Sequence, residues 1–175
     1  MPTTIEDRLR RLEDMEAIRQ LKAFYSQCAD SKYTTDHHRR PQDEIDAITR
    51  RQVDTVFTPD AVWDGGPQFG RLEGRQAIYD HLRAGRWNFA LHYFVNPVIT
   101  LDSDTAHASW MLWQPATLEE NDQAVWMSAT TEDDYVRTAE GWQLRHYAFK
   151  LLFITRFDRP WSDHRDTPFR DQRTG

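Results

Sequence analysis

The pattern of apolar and polar positions predicts helices in the first half of the chain and strands in the second. Near the start, apolar residues recur every three, four or seven positions with charged residues between them. That spacing places them on one face of a long helix over residues 5–30, with Thr4 as its N-cap. Shorter helices are predicted over about residues 41–57 and 76–83. The apolar face of the first helix is formed by Ile5, Leu9, Leu12, Ile18, Leu21, Tyr25 and Cys28.

From residue 88 onward, apolar stretches are separated by short polar turns, which is typical of antiparallel strands. Helices followed by a run of antiparallel strands indicate an α+β fold, with helices packed on one face of a curved sheet. No repeat or linker divides the sequence, so residues 1–175 are expected to form one domain, with a core at 5–155 and a polar tail at 156–175. A short strand is predicted at 61–64, and longer strands near 88–101, 104–117, 124–137 and 142–156.

The most apolar of these predicted strands, residues 89–101, carries one ionisable group, His92, near its middle. A strand of this kind is covered by other elements, so His92 is expected near the core. Imidazole titrates near neutral pH, and a half-buried imidazole can act as a proton acceptor. On this strand alone, a core histidine with satisfied hydrogen bonds is the simpler interpretation.

Charge and composition narrow the class of protein. The net charge of −6 argues against nucleic-acid binding, which needs a basic face. The first residues have no apolar region typical of a signal peptide, and no apolar run approaches membrane-helix length. The single cysteine, Cys28, allows no internal disulfide. We therefore expect a soluble, cytoplasmic protein without nucleic-acid or membrane partners.

Aromatic residues make up 13% of the chain and include seven tryptophans. Such rings fill a core, or they form the walls of a cavity for a flat apolar ligand. The histidines give no comparable indication of a metal site: His37 and His38 lack a further ligand at a recognisable spacing, and a zinc site made from His92, His107 and His146 lacks a closely spaced pair. No metal or organic cofactor is expected.

Several segments together resemble the SnoaL-like proteins of the nuclear transport factor 2-like superfamily. The resemblance covers roughly residues 5 to 155 and rests on 18–25, on 57–63, on 70–78, on His92 with Asn96-Pro97, and on 134–142. It implies a cystatin-like cone, in which a strongly curved sheet and helices enclose a deep, largely apolar pocket. Dehydratases, dehydrochlorinases, isomerases, polyketide cyclases and binding proteins share that cone, so the fold alone does not decide the function.

The nearest enzyme pattern is that of bile-acid 7-alpha-dehydratase, with scytalone dehydratase and hexachlorocyclohexane dehydrochlorinase further away. The working site of that enzyme consists of a Tyr, an Asp five residues later and a His ahead of x-Pro-x-Ile-Thr. These features correspond here to Tyr25, Asp30 and His92. The chemistry of this trio is coherent in itself. Asp30 would orient His92 as a base, and Tyr25 would donate to the developing oxyanion or to the leaving hydroxyl. Each residue also has a structural interpretation: Tyr25 as a core tyrosine, Asp30 as a helix terminator.

The resemblance also implies residues that contact the substrate, with two departures from the dehydratase pattern. Gln114 stands where that enzyme has an acidic residue, and Lys150 where it has an arginine. The segment 31–51 is longer and lies where a lid could form. Trp63, Trp110 and Phe153 are expected to line the pocket if the cone forms, and to be core residues otherwise.

These observations predict a cofactor-independent lyase, most simply a dehydratase, acting on a bulky apolar substrate that is steroid-like, polyketide or aromatic. Two alternatives remain open. One is an isomerase, or a lyase that releases formaldehyde from lignin-type aromatics, with the same dyad. The other is a binding protein that does not turn its ligand over. The resemblance further implies a homodimer or homotrimer formed through the open sheet face, where Met111 and Trp113 would be costly to leave in water.

Overall fold

The computed structural model of the chain describes residues 4–157. Within them, helices come mainly first and long strands last, as the apolar pattern predicts. The helices are α1 (Ile5–Asp30), α2 (Gln42–Val56), α3 (Gly66–Phe69) and α4 (Arg75–Ala84). The strands are β1 (Phe57–Asp64), β2 (Arg71–Glu73), β3 (Trp87–Ala90), β4 (Tyr93–Asp102), β5 (Thr105–Leu118), β6 (Ala124–Thr138) and β7 (Gly141–Arg156). The predicted tail lies outside the described residues from 158 onward.

Helix α1 starts at the predicted cap. The Asp7 backbone N–H donates to the Thr4 hydroxyl at 3.1 Å, and the Thr4 N–H donates to the Asp7 carboxylate at 3.3 Å. This reciprocal pair satisfies two of the free N–H groups at the helix start.

The predicted apolar face of α1 is only partly correct. Its contacts with the core begin at Met15 and Ile18, so the preceding turns lie outside the core. The apolar residues of those turns are exposed, with relative exposures of 77% for Ile5, 54% for Leu9 and 63% for Leu12. Apolar spacing predicted the helix correctly, but it could not show where along the helix the sheet begins to cover it.

The seven strands form one sheet in the order β2-β1-β7-β6-β5-β3, with β4 also paired to β5. All pairs are antiparallel except β1 with β7. Strand β5 accommodates two partners because β4 pairs with its first nine residues, from Thr105 to Trp113, and β3 with its last, Ala116 to Leu118. The result is an α+β fold in which a curled sheet and the helices enclose a shared core.

The predicted continuous strand over residues 88–101 is wrong, because the chain leaves the sheet at Leu91 and His92, between β3 and β4. The physical reason is a different use of the backbone N–H groups. The Leu91 N–H still donates to Pro115 O on β5 at 3.1 Å, but the next N–H, that of His92, donates to the Asp30 carboxylate at 2.9 Å and not to a neighbouring strand. The break brings His92 against the end of α1.

Candidate active site

A cavity of about 240 Å³ lies between the concave side of the sheet and helices α1, α2 and α4. Aromatic rings form much of its wall, and Trp63 and Tyr147 stack with their ring centroids 5.5 Å apart and their planes 6° from parallel. The volume corresponds to about eight water molecules at roughly 30 Å³ each. A flat ligand of one or two rings suits these walls.

The cavity wall contains the predicted histidine–aspartate pair. His92 lines the cavity, and its Nδ1 lies 2.8 Å from Asp30 Oδ1, so the predicted hydrogen bond is present. The same carboxylate oxygen accepts the His92 backbone N–H, which fixes both partners. An ionised carboxylate can only accept, so in the neutral form of the imidazole Nδ1 carries the proton and Nε2 has the free lone pair. This is the tautomer that a general base requires.

Tyr25 lines the same cavity from α1. Its ring packs edge-on against Phe57 and Phe94, with centroids 6.1 and 5.8 Å away. Burial raises the pKa of the Tyr25 phenol, an effect that the neighbouring Trp63 side chain partly offsets. The hydroxyl therefore keeps its proton at neutral pH and can donate a hydrogen bond.

Two buried amides supply further polar atoms to the cavity. The Gln114 side chain is 1% exposed and Gln52 is fully buried, and both line the cavity. Gln52 Nε2 donates to Tyr25 O at 2.9 Å, which fixes the orientation of that amide. Among residues 4–157, Gln114 Nε2 and Gln52 Oε1 have no hydrogen-bond partner. A buried polar atom without a partner costs free energy, so these atoms favour a ligand with complementary groups.

The family model described as "SnoaL-like domain" matches residues 44–148, more than half of the chain. The protein belongs to the SnoaL-like family. An uncharacterised protein of Mycobacterium tuberculosis is 31% identical over 109 residues, which cover 58% of this chain and 74% of the relative. An uncharacterised protein of Mycobacterium bovis matches with the same figures.

Solved structures share the fold of this SnoaL-like chain at low sequence identity. The hexachlorocyclohexane dehydrochlorinase LinA-type3 of Novosphingobium barchaimii has a TM-score of 0.70 and 18% identity, covering 86% of this chain and 94% of that one. A putative scytalone dehydratase of Novosphingobium aromaticivorans has a TM-score of 0.68 and 16% identity, with the same coverage. A putative aromatic ring hydroxylase of the latter organism has a TM-score of 0.66 and 24% identity, covering 83% and 94%. Such identities show the fold alone, a nuclear transport factor 2-like cone.

Not all the residues predicted to contact a substrate lie at the cavity. Trp63 and Gln114 line it, whereas Trp110, Lys150 and Phe153 do not. Trp110 is buried deeper, with its ring 5.6 Å from the Lys22 ammonium. Lys150 is exposed on β7, and Phe153 is 44% exposed and packs against Trp113 on the outer face. Alternation along β7 explains the Lys150 position, because Tyr147 and Phe149 already take the inward places.

Sequence reasoning missed a buried ion pair that lies against aromatic rings of the cavity wall. Lys22 and Asp133 are 3% and 0% exposed, with Nζ 2.7 Å from Oδ2. The Tyr135 hydroxyl donates to the same oxygen at 2.8 Å, and the ammonium lies 3.9 Å from the Phe94 ring centroid. Burial lowers the pKa of Lys22, while the charge of Asp133 opposes that shift. Lys22 follows Ile18 by one helical turn, which was the available signal, but nothing in the sequence pointed to Asp133.

The sequence also gave no indication of several basic groups in the cavity wall, Lys32, Arg39, His81 and Arg86. Burial lowers the pKa of His81, and the charges of Arg86 and Lys32 add to that effect. His81 is therefore a neutral imidazole at neutral pH, with its ring 4.8 Å from that of Trp63. It gives the cavity a second imidazole, on α4.

Neither a metal-ligand cluster nor a membrane-spanning helix is found in the described part of the chain. Residues 4–157 contain no group of three or more His, Cys, Asp and Glu side chains placed to hold a metal ion. Within the same residues, no helix is both long enough and apolar enough to cross a membrane.

Proposed function

We propose that this SnoaL-like protein is a cofactor-independent lyase that eliminates water from a compact aromatic carbonyl compound. The observation that carries the proposal is the carboxylate-oriented imidazole of His92 in the wall of an aromatic cavity, together with the protonated phenol of Tyr25. The neighbours titled dehydrochlorinase and putative scytalone dehydratase support elimination chemistry in this fold.

The proposed reaction needs only the substrate and these side chains. His92 Nε2 takes a proton from the carbon next to the carbonyl, and the electron pair of that bond moves to the carbonyl oxygen as an enolate. The Tyr25 hydroxyl donates to this oxyanion, and Asp30 stabilises the imidazolium. The enolate then re-forms the carbonyl, the bond from the β-carbon to its hydroxyl breaks, and the imidazolium returns its proton to the departing hydroxide. The products are an α,β-unsaturated ketone and water.

The cavity size favours a small member of the substrate classes considered from sequence. At about 240 Å³, the cavity lies just below the range of about 300–1,000 Å³ typical for drug-sized ligands. One or two aromatic rings fit such a volume better than a four-ring steroid. The stacked Trp63 and Tyr147 rings offer a flat surface for them.

A synthetic β-hydroxy ketone of this size, 3-hydroxy-1-tetralone, tests the proposal. Loss of water from it gives a dienone that tautomerises to 1-naphthol, whose fluorescence reports turnover continuously. The wild-type protein is expected to accelerate formation of 1-naphthol without added metal or cofactor. Quenching of tryptophan fluorescence confirms in the same sample that the ketone is bound. Bound ketone that is dehydrated no faster than in buffer would contradict the proposal.

Replacing Tyr25 with phenylalanine should lower the dehydration rate by about 10- to 1,000-fold, because one donor to the oxyanion is lost. Tyr147→Phe is the matched control, since Tyr147 also presents a buried phenol to the cavity. Initial rates with 3-hydroxy-1-tetralone measure both variants. If Tyr147→Phe lost more activity than Tyr25→Phe, the donor to the oxyanion would be Tyr147, and the role proposed for Tyr25 would be wrong.

We further propose that two or three copies assemble through the outer sheet face, where large apolar side chains stay exposed. Trp113 is 40% exposed, Met111 37% and Tyr93 50%, on paired positions of β4 and β5. Burying that face removes apolar area from water. Light scattering should report a multiple of 20.8 kDa, and Trp113→Glu should shift it towards the monomer. A wild-type mass of 20.8 kDa over a wide concentration range would refute the assembly.

A further inference from the structure

The cavity wall has a charge opposite to that of the whole protein. The chain has a net charge of −6, yet none of the described residues that line the cavity is acidic. Three cationic side chains, Lys32, Arg39 and Arg86, lie in the wall near the C-terminal end of α4. Asp30, which holds His92, is not part of the cavity lining. A negatively charged ligand group would therefore meet attraction at this end of the cavity.

Lys32 is the cation with the least compensation. Its side chain is buried, at 7% exposure, and Nζ donates to Leu82 O at 3.1 Å. No carboxylate among residues 4–157 forms an ion pair with it, although an ammonium has three donors. Burial lowers its pKa to about 8, with the thiol of Cys28 opposing the shift and Arg39 adding to it. A buried cation without a counter-ion is costly, and an anionic ligand would remove that cost.

The two arginines are placed differently. Arg39 donates to Ala84 O at 2.8 Å and to Arg83 O at 3.2 Å, and its guanidinium lies 3.5 Å from the Glu119 carboxylate. Its charge is therefore largely satisfied within the protein. Arg86 is exposed and lies at the rim, with its guanidinium over the Phe69 ring. Of the described residues, Lys32 alone presents an uncompensated positive charge in the buried part of the wall.

We propose that the cavity recognises an aromatic carboxylate, whose oxygens accept hydrogen bonds from the Lys32 ammonium while its ring lies against the aromatic wall. This proposal rests on the proposed function, because it names the charge that the compact carbonyl substrate carries. A singly charged carboxylate matches the single uncompensated cation. Arg86 attracts the same anion as it enters.

A purely structural role for Lys32 leads to a different expectation. The Lys32 ammonium and the Arg39 guanidinium contact the last carbonyls of α4, where a cation also stabilises the helix dipole. A residue that only caps α4 would affect stability, but it would not make the cavity prefer an anion over a neutral molecule of the same shape. Ligand preference therefore separates the two roles.

The experiment compares 2-naphthoate with its neutral isostere 2-naphthamide by isothermal titration calorimetry at pH 7. Wild type should bind 2-naphthoate at least tenfold more tightly than 2-naphthamide. Equal affinities would overturn the proposal. Neither probe has a proton on a carbon next to its carbonyl group, so neither can undergo the proposed elimination. The comparison of these two affinities therefore tests the carboxylate proposal whether or not the protein has lyase activity.

Substitutions assign the preference to Lys32. Lys32→Met should abolish it, and Lys32→Arg should keep most of it. Arg50→Met is the matched control, because it removes one positive charge from a residue that pairs with Asp54 and stacks on the Tyr79 ring but does not line the cavity. A preference that survives in Lys32→Met, or that disappears in Arg50→Met, would overturn the assignment.

A pH titration of the wild type tests the same point without any substitution, in case Lys32→Met folds poorly. Lys32 interacts electrostatically with Cys28, Arg39 and His81, and Tyr33 and Arg86 lie in the same cavity wall. The thiol pKa is raised by burial, the imidazole pKa is lowered, and the arginines keep their charge. As the pH rises through about 8, Lys32 loses its proton, so affinity for 2-naphthoate should fall while that for 2-naphthamide stays constant. A constant ratio between pH 7 and 10 would contradict the proposal.

Discussion

Replacing His92 with alanine should lower the dehydration rate by about 10²–10⁴-fold, the usual contribution of a general base. The variant loses the only cavity imidazole that is paired with a carboxylate among the described residues. Binding of 2-naphthamide should stay within a few-fold of wild type, because the aromatic walls are unchanged. Rates of 1-naphthol formation and calorimetric affinities measure the two effects separately.

His107→Ala is the matched control for this substitution. His107 also pairs with carboxylates, with Nδ1 2.8 Å from Asp134 and Nε2 2.9 Å from Glu132, but it lies on the outer face of the sheet. Its removal should leave the dehydration rate unchanged. A His92→Ala variant with wild-type kinetics, or a His107→Ala variant with an equally large loss, would contradict the assignment of His92 as the base.

The Asp133→Asn variant should lose about 3–5 kcal/mol of the free energy of unfolding at pH 7, because the buried ammonium of Lys22 is left without its counter-ion. Urea denaturation followed by tryptophan fluorescence measures the loss. The deficit should shrink as the pH rises from 7 to 10. The folded variant favours the neutral amine, while the unfolded chain keeps its proton until about pH 10.4, so stability increases with pH.

The double variant Lys22→Met/Asp133→Asn tests the cause of this loss. It should be more stable than Asp133→Asn alone, because no charge then remains buried, and the amide can still accept from the Tyr135 hydroxyl. A double variant less stable than the single one would show that the cost comes from packing and not from the unpaired charge.

The sequence predicted the parts of the site that depend on local pattern. The spacing of apolar residues placed Tyr25 on the inward face of α1, and the five-residue step to Asp30 brought the carboxylate to the helix end. An apolar stretch with a single ionisable residue pointed to His92. Their meeting across 62 positions of sequence was predicted through the family resemblance, since no local rule sets a distance between a helix end and a strand.

Features that depend on register and on the curvature of the sheet were not predictable in this way. Asp133 faces inward between exposed neighbours, and only the pairing of β6 with β5 and β7 sets which of two consecutive aspartates is buried. Lys150 and Phe153 face outward for the same reason. Lys32 reaches the cavity because the chain after α1 folds against the end of α4, a contact between segments 50 positions apart.

Deuterium incorporation tests the central claim, that His92 is a base acting on carbon next to a carbonyl. The probe is 1-tetralone, which has such protons but no leaving group, in D₂O with exchange followed by proton NMR. Wild type should catalyse exchange at the carbon next to the carbonyl, and His92→Ala should not. Tryptophan quenching in the same samples establishes that the ketone is bound. Bound 1-tetralone that exchanges no faster with wild type than with His92→Ala would contradict the account.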